Sequence, residues 1–151
     1  MTTLRVRPAT PDDLALILSL IRELAEYERA LDEVVATEDT LRRHLFGEGI
    51  GRGAPAECVI GEVDGEAQGF ALFFLNFSTW LAAPGLYLED LFVRPVARAK
   101  GLGKALLSEL ARLGIGRFGQ LGDETATQRE ALSPVVGITD AVEIAAGSSH
   151  V

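Results

Sequence analysis

Tyr87-Leu-Glu-Asp-Leu-Phe-Val-Arg-Pro-Val-Ala-Arg-Ala-Lys-Gly-Leu-Gly-Lys-Ala-Leu-Leu107 reads as a strand, a glycine turn and a helix. Tyr87 to Val93 is mostly apolar, with the carboxylates Glu89 and Asp90 in its middle. Pro95 ends the strand because it has no N–H to give a ladder. After Arg98-Ala-Lys-Gly101-Leu-Gly103, the residues Leu102, Ala105, Leu106, Leu110 and Leu113 recur at helical spacing. Gly101 and Gly103 let the backbone come close to a ligand. The first N–H groups of the helix lack intrahelical partners, so they point outward and favour an anion. The segment has the form of a phosphate cradle. The third glycine of a dinucleotide fingerprint is absent, and Lys104 is followed by Ala105 rather than Ser or Thr. On these residues alone, a tight strand-to-helix turn without a ligand stands equally beside the cradle.

Working outward, Leu4 to Arg7 is a short strand closed by Pro8. Thr10-Pro-Asp-Asp13 has the parts of a helix start: a capping threonine, Pro11 at the first helical position, and Asp13 to complete a capping box. Leu14, Ile17, Leu18, Ile21 and Ala25 form one apolar stripe, predicting a helix to about Arg29. Thr37 starts a second helix, anchored by Leu41 and Leu45 and stopped at Gly47. Glu57 to Val63 and Gln68 to Asn76 read as strands joined by Asp64-Gly65, a strong hairpin signal. Phe77 to Pro84 reads as a loop holding Trp80. A hairpin beside a strand–helix crossover predicts an α/β (α+β) fold, a mixed sheet antiparallel on one side with helices on both faces. Ile115 to Phe118 suits the start of a further strand.

The chain has 151 residues, 48% of them apolar, which suits one domain with a real core. No apolar run approaches the roughly 20 residues of a membrane span, and the first residues carry no apolar signal segment. Cys58 stands alone, so no internal disulfide forms, and the expected location is cytoplasmic. A net charge of −8 argues against nucleic acid and is compatible with a cationic substrate. His44, His150 and Cys58 show no metal-ligand spacing.

Arg98-x-x-Gly101-x-Gly103, opening a helix after Phe92-Val93-Arg94-Pro95, resembles the acetyl-coenzyme A motif of the GCN5-related N-acetyltransferases. Arg7-Pro-Ala-Thr10, Leu24-Ala-Glu-Tyr-Glu28 and Leu86-Tyr-Leu-Glu-Asp90 resemble the diamine (spermidine/spermine) branch. The resemblance spans about residues 4 to 118, predicting an acetyltransferase core over residues 1–118 and a divergent tail over 119–151. In that tail the family supplies a Trp-Asn and a Phe-Tyr pair, whereas every Trp and Tyr here lies before residue 88. The expectation is a C-terminal part that is incomplete, loosely docked, or read in a shifted frame beginning near Gly114 to Gly119.

The resemblance implies transfer of an acetyl group from acetyl-coenzyme A, as co-substrate and without a metal, to a primary amine by direct attack. The acceptor would be a polyamine, a thialysine-like amino acid or another small amine, and the enzyme a homodimer. An alkyl ammonium has a pKa near 10.4, so roughly one molecule in a thousand or fewer is nucleophilic at pH 7 and a base is useful. Strict alternation sends Glu89 and Asp90 to opposite faces of the sheet. The resemblance assigns the water-mediated base role to Glu89, leaving Asp90 a structural contact. Leu91, Phe92 and Val93 are expected to offer backbone groups to the pantetheine arm, where the family has a bulge that splays two strands. Arg98, Ala99, Lys100, Gly101, Leu102, Gly103 and Lys104 are expected to hold the pyrophosphate, mainly through backbone N–H groups. Tyr27 and Glu28 match residues lining the amine site; Trp80, in the loop before the central strand, would wall the same channel or simply cover the core. No late tyrosine is present to protonate the departing thiolate, so a non-catalytic coenzyme A-binding remnant is the alternative.

Overall fold

The computed structural model describes residues 1–118, with side chains to residue 114. The elements run β1 (Leu4–Pro8), α1 (Leu14–Tyr27), α2 (Glu38–Phe46), β2 (Glu57–Val63), β3 (Glu66–Ser78), β4 (Ala83–Val93) and α3 (Leu102–Phe118). The strands form one sheet in the order β1-β2-β3-β4. All pairings among the described residues are antiparallel. The parallel neighbour of a mixed sheet would follow α3, outside the described residues.

Each face of the sheet carries its own apolar layer. On one face Leu14, Ile17, Leu20 and Leu24 of α1 and Leu41 and Leu45 of α2 pack on Ile60, Phe70 and Phe92. On the other, Leu102, Leu106 and Leu110 of α3 pack on Val59, Ala71, Phe73 and Leu91. The alternation of β2 and β3 residues between these layers is the period-two pattern of strands covered on both sides. No described helix is long and apolar enough to cross a membrane.

Local chemistry sets the ends. Asp13 accepts the backbone N–H and hydroxyl of Thr10 (2.8 and 3.1 Å) and pairs with both terminal nitrogens of Arg7 (2.8 Å each). The Arg7 guanidinium, followed by the Thr10 donors, holds this buried carboxyl down to about 2 against the opposing effect of burial. Arg7 Nε also donates to Glu62 at 2.6 Å, tying β1 to β2. Thr37 accepts the Thr40 N–H to start α2, and Gly47 at φ 72° ends it. Asp64 and Gly65 take φ 52° and 84°, the pair of left-handed residues that a two-residue hairpin needs.

Three expectations change. Residues 115–118 continue α3 rather than begin a strand; the helical stripe from Leu102 carries through Gly114, which adjoins Leu86 of β4. The loop expected over Phe77 to Pro84 shrinks to a short turn, because β3 runs to Ser78 and β4 starts at Ala83. Phe77 pairs with Pro84, a proline tolerated because β4 is an edge strand among the described residues. The first helical turn, Pro11–Asp13, is a tight 3-10 turn leading into α1. The expectations for residues 119–151 lie outside the described residues.

Candidate active site

The β3–β4 register breaks in the middle of β4. Leu72 faces Asp90 and Phe73 faces Leu88, so Glu89 has no partner across the strand pair. This is a β-bulge, one extra residue that locally bends the strand. Leu86 and Leu88 before it, and Leu91 and Val93 after it, all pack with the α3 layer. Counted from either side, Glu89 and Asp90 both fall on the α1–α2 face. Strict alternation, and with it the assignment of the two carboxylates to opposite faces, therefore fails at this point.

Both carboxylates are half-buried. Among the described residues, neither takes part in an ion pair. Burial pushes the Asp90 carboxyl up to about 6, and repulsion from Glu89 and then from Glu28 at the end of α1 adds to the rise. The three acids share one neighbourhood, and among the described residues no arginine pairs with Asp90. Such an arrangement favours a cation and raises the basicity of its most buried member.

Beside this cluster the chain turns into α3. Arg98 Nε donates to the Val93 carbonyl at 3.0 Å, and its guanidinium carbon lies 4.8 Å from the centre of the Tyr27 ring. Ala99 and Gly101 both have left-handed backbone, at φ 61° and 88°. Left-handed geometry costs an alanine roughly 1–2 kcal/mol, strain of the kind that persists where surrounding structure enforces a functional turn. Ala105 N–H is bonded to the Gly101 carbonyl at 3.0 Å. The N–H groups of Leu102, Gly103 and Lys104 thus belong to the first turn, which has no intrahelical acceptor. Lys100 and Lys104 are exposed, and a Cβ on Gly103 would meet only a Val93 methyl, at 3.9 Å. Leu91 and Phe92 are buried and Val93 is half-buried.

An arginine the sequence reading passed over locks this corner. Arg94 grips both oxygens of Glu23 on α1, through Nε at 2.8 Å and Nη2 at 2.7 Å, and donates to the Ala67 carbonyl at 3.0 Å. The fork holds the end of β4 against α1 and sets Tyr27 and Glu28 near the bulge. Trp80 is not brought there. It sits in the β3–β4 turn, 96% exposed, about six strand residues or roughly 20 Å from Glu89. Among the described residues, no three His, Cys, Asp or Glu side chains are placed so that they could together hold a metal ion.

A model of the acetyltransferase (GNAT) family matches residues 18–129, crossing the boundary drawn at residue 118. The chain belongs to the GNAT acetyltransferase family. It is 35% identical over 126 residues to a thialysine N-epsilon-acetyltransferase of Bos taurus, covering 78% of this chain and 71% of that one. It is 31% identical to an L-ornithine N5-acetyltransferase of Arabidopsis thaliana, covering 75% and 69% of the two chains. Among solved structures, an aminoglycoside acetyltransferase from an uncultured soil metagenomic sample superposes with TM-score 0.61 at 21% identity. That match covers 76% of this chain and 74% of the other and speaks to the fold.

The residues present fit coenzyme A, the acyl carrier that GNAT proteins use in general. The open first turn of α3, with the clear approach past Gly103 and the two exposed lysines, suits a pyrophosphate. The outer edge of β4 has no strand partner among the described residues and so can receive an amide-bearing arm.

Proposed function

We propose that this protein acetylates a primary amine on a small cationic molecule, with acetyl-coenzyme A as the acetyl donor. The observation that carries the reading is the Glu28–Glu89–Asp90 cluster at the bulge, next to the α3 cradle. An ammonium entering there meets three acids, and its positive charge offsets the burial and the repulsion that together raise Asp90. The thialysine and ornithine relatives point to an amino acid with a side-chain amine, and the polyamine-like branch to a diamine; both are cations this cluster would attract.

When bound, acetyl-coenzyme A supplies the activated acetyl thioester. Residues 98–104 hold its pyrophosphate through the first N–H groups of α3, and the β4 edge at Leu91 to Val93 aligns the arm. Glu89, the unpaired bulge residue, takes the ammonium proton through a water, and Asp90 holds the amine by charge. Glu28 adds charge from the end of α1, and Tyr27 borders the two sites. A homodimer and a cytoplasmic location go with this reading through the family resemblance and composition.

The test is thiol release from acetyl-coenzyme A with thialysine, ornithine, lysine, spermidine and a neutral amino acid as acceptors. The proposal expects release with the side-chain amines and none with the neutral amino acid. Release that ignores the acceptor's charge would refute the acidic cluster as the amine site.

A further inference from the structure

Tyr27 touches the cofactor cradle through Arg98. It is the last residue of α1 and half-exposed, and Arg98 lies over its ring at 4.8 Å. Arg98 is also the first residue of the cradle turn. Its Nε is committed to the Val93 carbonyl at 3.0 Å, so one guanidinium bridges three parts of the fold: the end of β4, the turn into α3 and the end of α1. An arginine on a long side chain has several rotamers to choose among. Val93 restrains the guanidinium by one bond, and an aromatic face adds a second restraint by cation–π attraction. The residue after Arg98 is Ala99, held at φ 61°, a conformation that needs support from its surroundings.

Resting on the acetyl-coenzyme A reading above, we infer that Tyr27 is a positioning residue for the coenzyme A cradle, acting through Arg98, rather than only a wall of the amine site. Its ring seats Arg98, and Arg98 holds the turn whose N–H groups receive the pyrophosphate. The contact requires the aromatic face and not the hydroxyl, which separates Tyr27→Phe from Tyr27→Leu.

The experiment is calorimetric titration of the full chain with coenzyme A, for the parent and for Y27F, Y27L, R98Q and the Y27L/R98Q double variant. Thermal melts monitor folding; Tyr27 is half-exposed, so either substitution is tolerable. Y27F is expected to bind as the parent does. Y27L is expected to bind about two- to fivefold more weakly, the worth of a cation–π contact at a partly exposed site. R98Q removes the cation and with it the cation–π attraction, so adding Y27L to it is expected to weaken binding by clearly less than in the parent background. With saturating amine, Y27L is expected to raise the KM for acetyl-coenzyme A by about the same factor as its loss of coenzyme A affinity, and Y27F is expected to leave that KM at the parent's value. Equal binding by Y27L and the parent, a loss in Y27F matching that in Y27L, or full additivity with R98Q would each overturn the inference alone. A Y27L variant that raises the amine KM and leaves coenzyme A affinity unchanged would return Tyr27 to the amine wall. A parent chain that binds no coenzyme A overturns the acetyl-coenzyme A reading, and this inference with it.

Discussion

Asp90→Asn separates the cost of the acidic cluster from its use. Burial and the neighbouring Glu89 and Glu28 raise the Asp90 carboxyl from 3.8 to about 6. The folded protein therefore holds this proton more tightly than the unfolded chain between those two values. Stability contributed by the protonated form is present below pH 4 and is lost as pH rises to about 6, after which it stays lower. Two pKa units correspond to about 3 kcal/mol, and because Asp90 is only half-buried the penalty at neutral pH is nearer 1–2 kcal/mol. Asparagine keeps the shape and removes the charge, and Asp90 makes no ion pair among the described residues that would be lost. Urea unfolding is expected to show the variant more stable by about 1–2 kcal/mol at pH 7.5, with the gain fading toward pH 4. Its kcat/KM for the amine is expected to fall about tenfold or more, since a charged hydrogen-bond partner contributes about 1.5–3 kcal/mol. A variant no more stable than the parent at pH 7.5, with the parent's pH dependence intact, would refute the reading of Asp90 as a strained, functional carboxylate.

Glu89→Gln is expected to lower the rate at pH 7 by roughly a hundredfold, the low end for loss of a general base. The variant should approach the parent near pH 10, where more of the amine is already neutral; equal rates at pH 7 would remove Glu89 from the proton path. Gly103→Glu places bulk and negative charge against the pyrophosphate, and calorimetry is expected to show coenzyme A binding strongly weakened in a chain that still melts cooperatively. Asp13 runs opposite to Asp90. Its carboxyl is held at about 2 chiefly by Arg7, so it stabilises the fold above pH 4 and loses that contribution as pH falls toward 2. Asp13→Asn is expected to cost about 2 kcal/mol at pH 7 and to show a flatter unfolding profile between pH 4 and 2.

The local pieces were legible because their chemistry is local. Of the stripe Leu14, Ile17, Leu18, Ile21 and Ala25, Leu14 and Ile17 are buried in one layer and Leu18 and Ile21 pack partly buried against it, while Leu20 and Leu24 complete the buried face; the Asp64-Gly65 hairpin has both residues left-handed, and Gly47 ends α2 as a left-handed cap. The turn at Gly101 also stood in the sequence, though the left-handed Ala99 did not, since nothing about an alanine announces positive φ. Glu89 and Asp90 were found but sent to opposite faces by a rule that assumes unbroken pleating. The sequence does not mark the bulge, because both phases carry apolar residues on either side of it, Leu86, Tyr87 and Leu88 before and Leu91, Phe92 and Val93 after; only the register of β3 against β4 shows the slip. The Arg94–Glu23 fork and the Arg98–Tyr27 contact join residues 71 positions apart, which local pattern cannot bring together. Trp80 suited a channel wall only while Phe77 to Pro84 was a loop; a long hairpin carries it to the tip.

The central claim is that this chain moves an acetyl group to a cationic amine at the bulge, and a single-turnover transfer tests it most directly. Acetyl-coenzyme A labelled in its acetyl group is mixed with enzyme in excess and with thialysine or ornithine, and the amine is analysed by mass spectrometry. The account predicts label on the side-chain amine in the parent and much less in Asp90→Asn and Glu89→Gln. Coenzyme A bound by the parent, with no label on any amine, would contradict it and leave a binding protein without turnover.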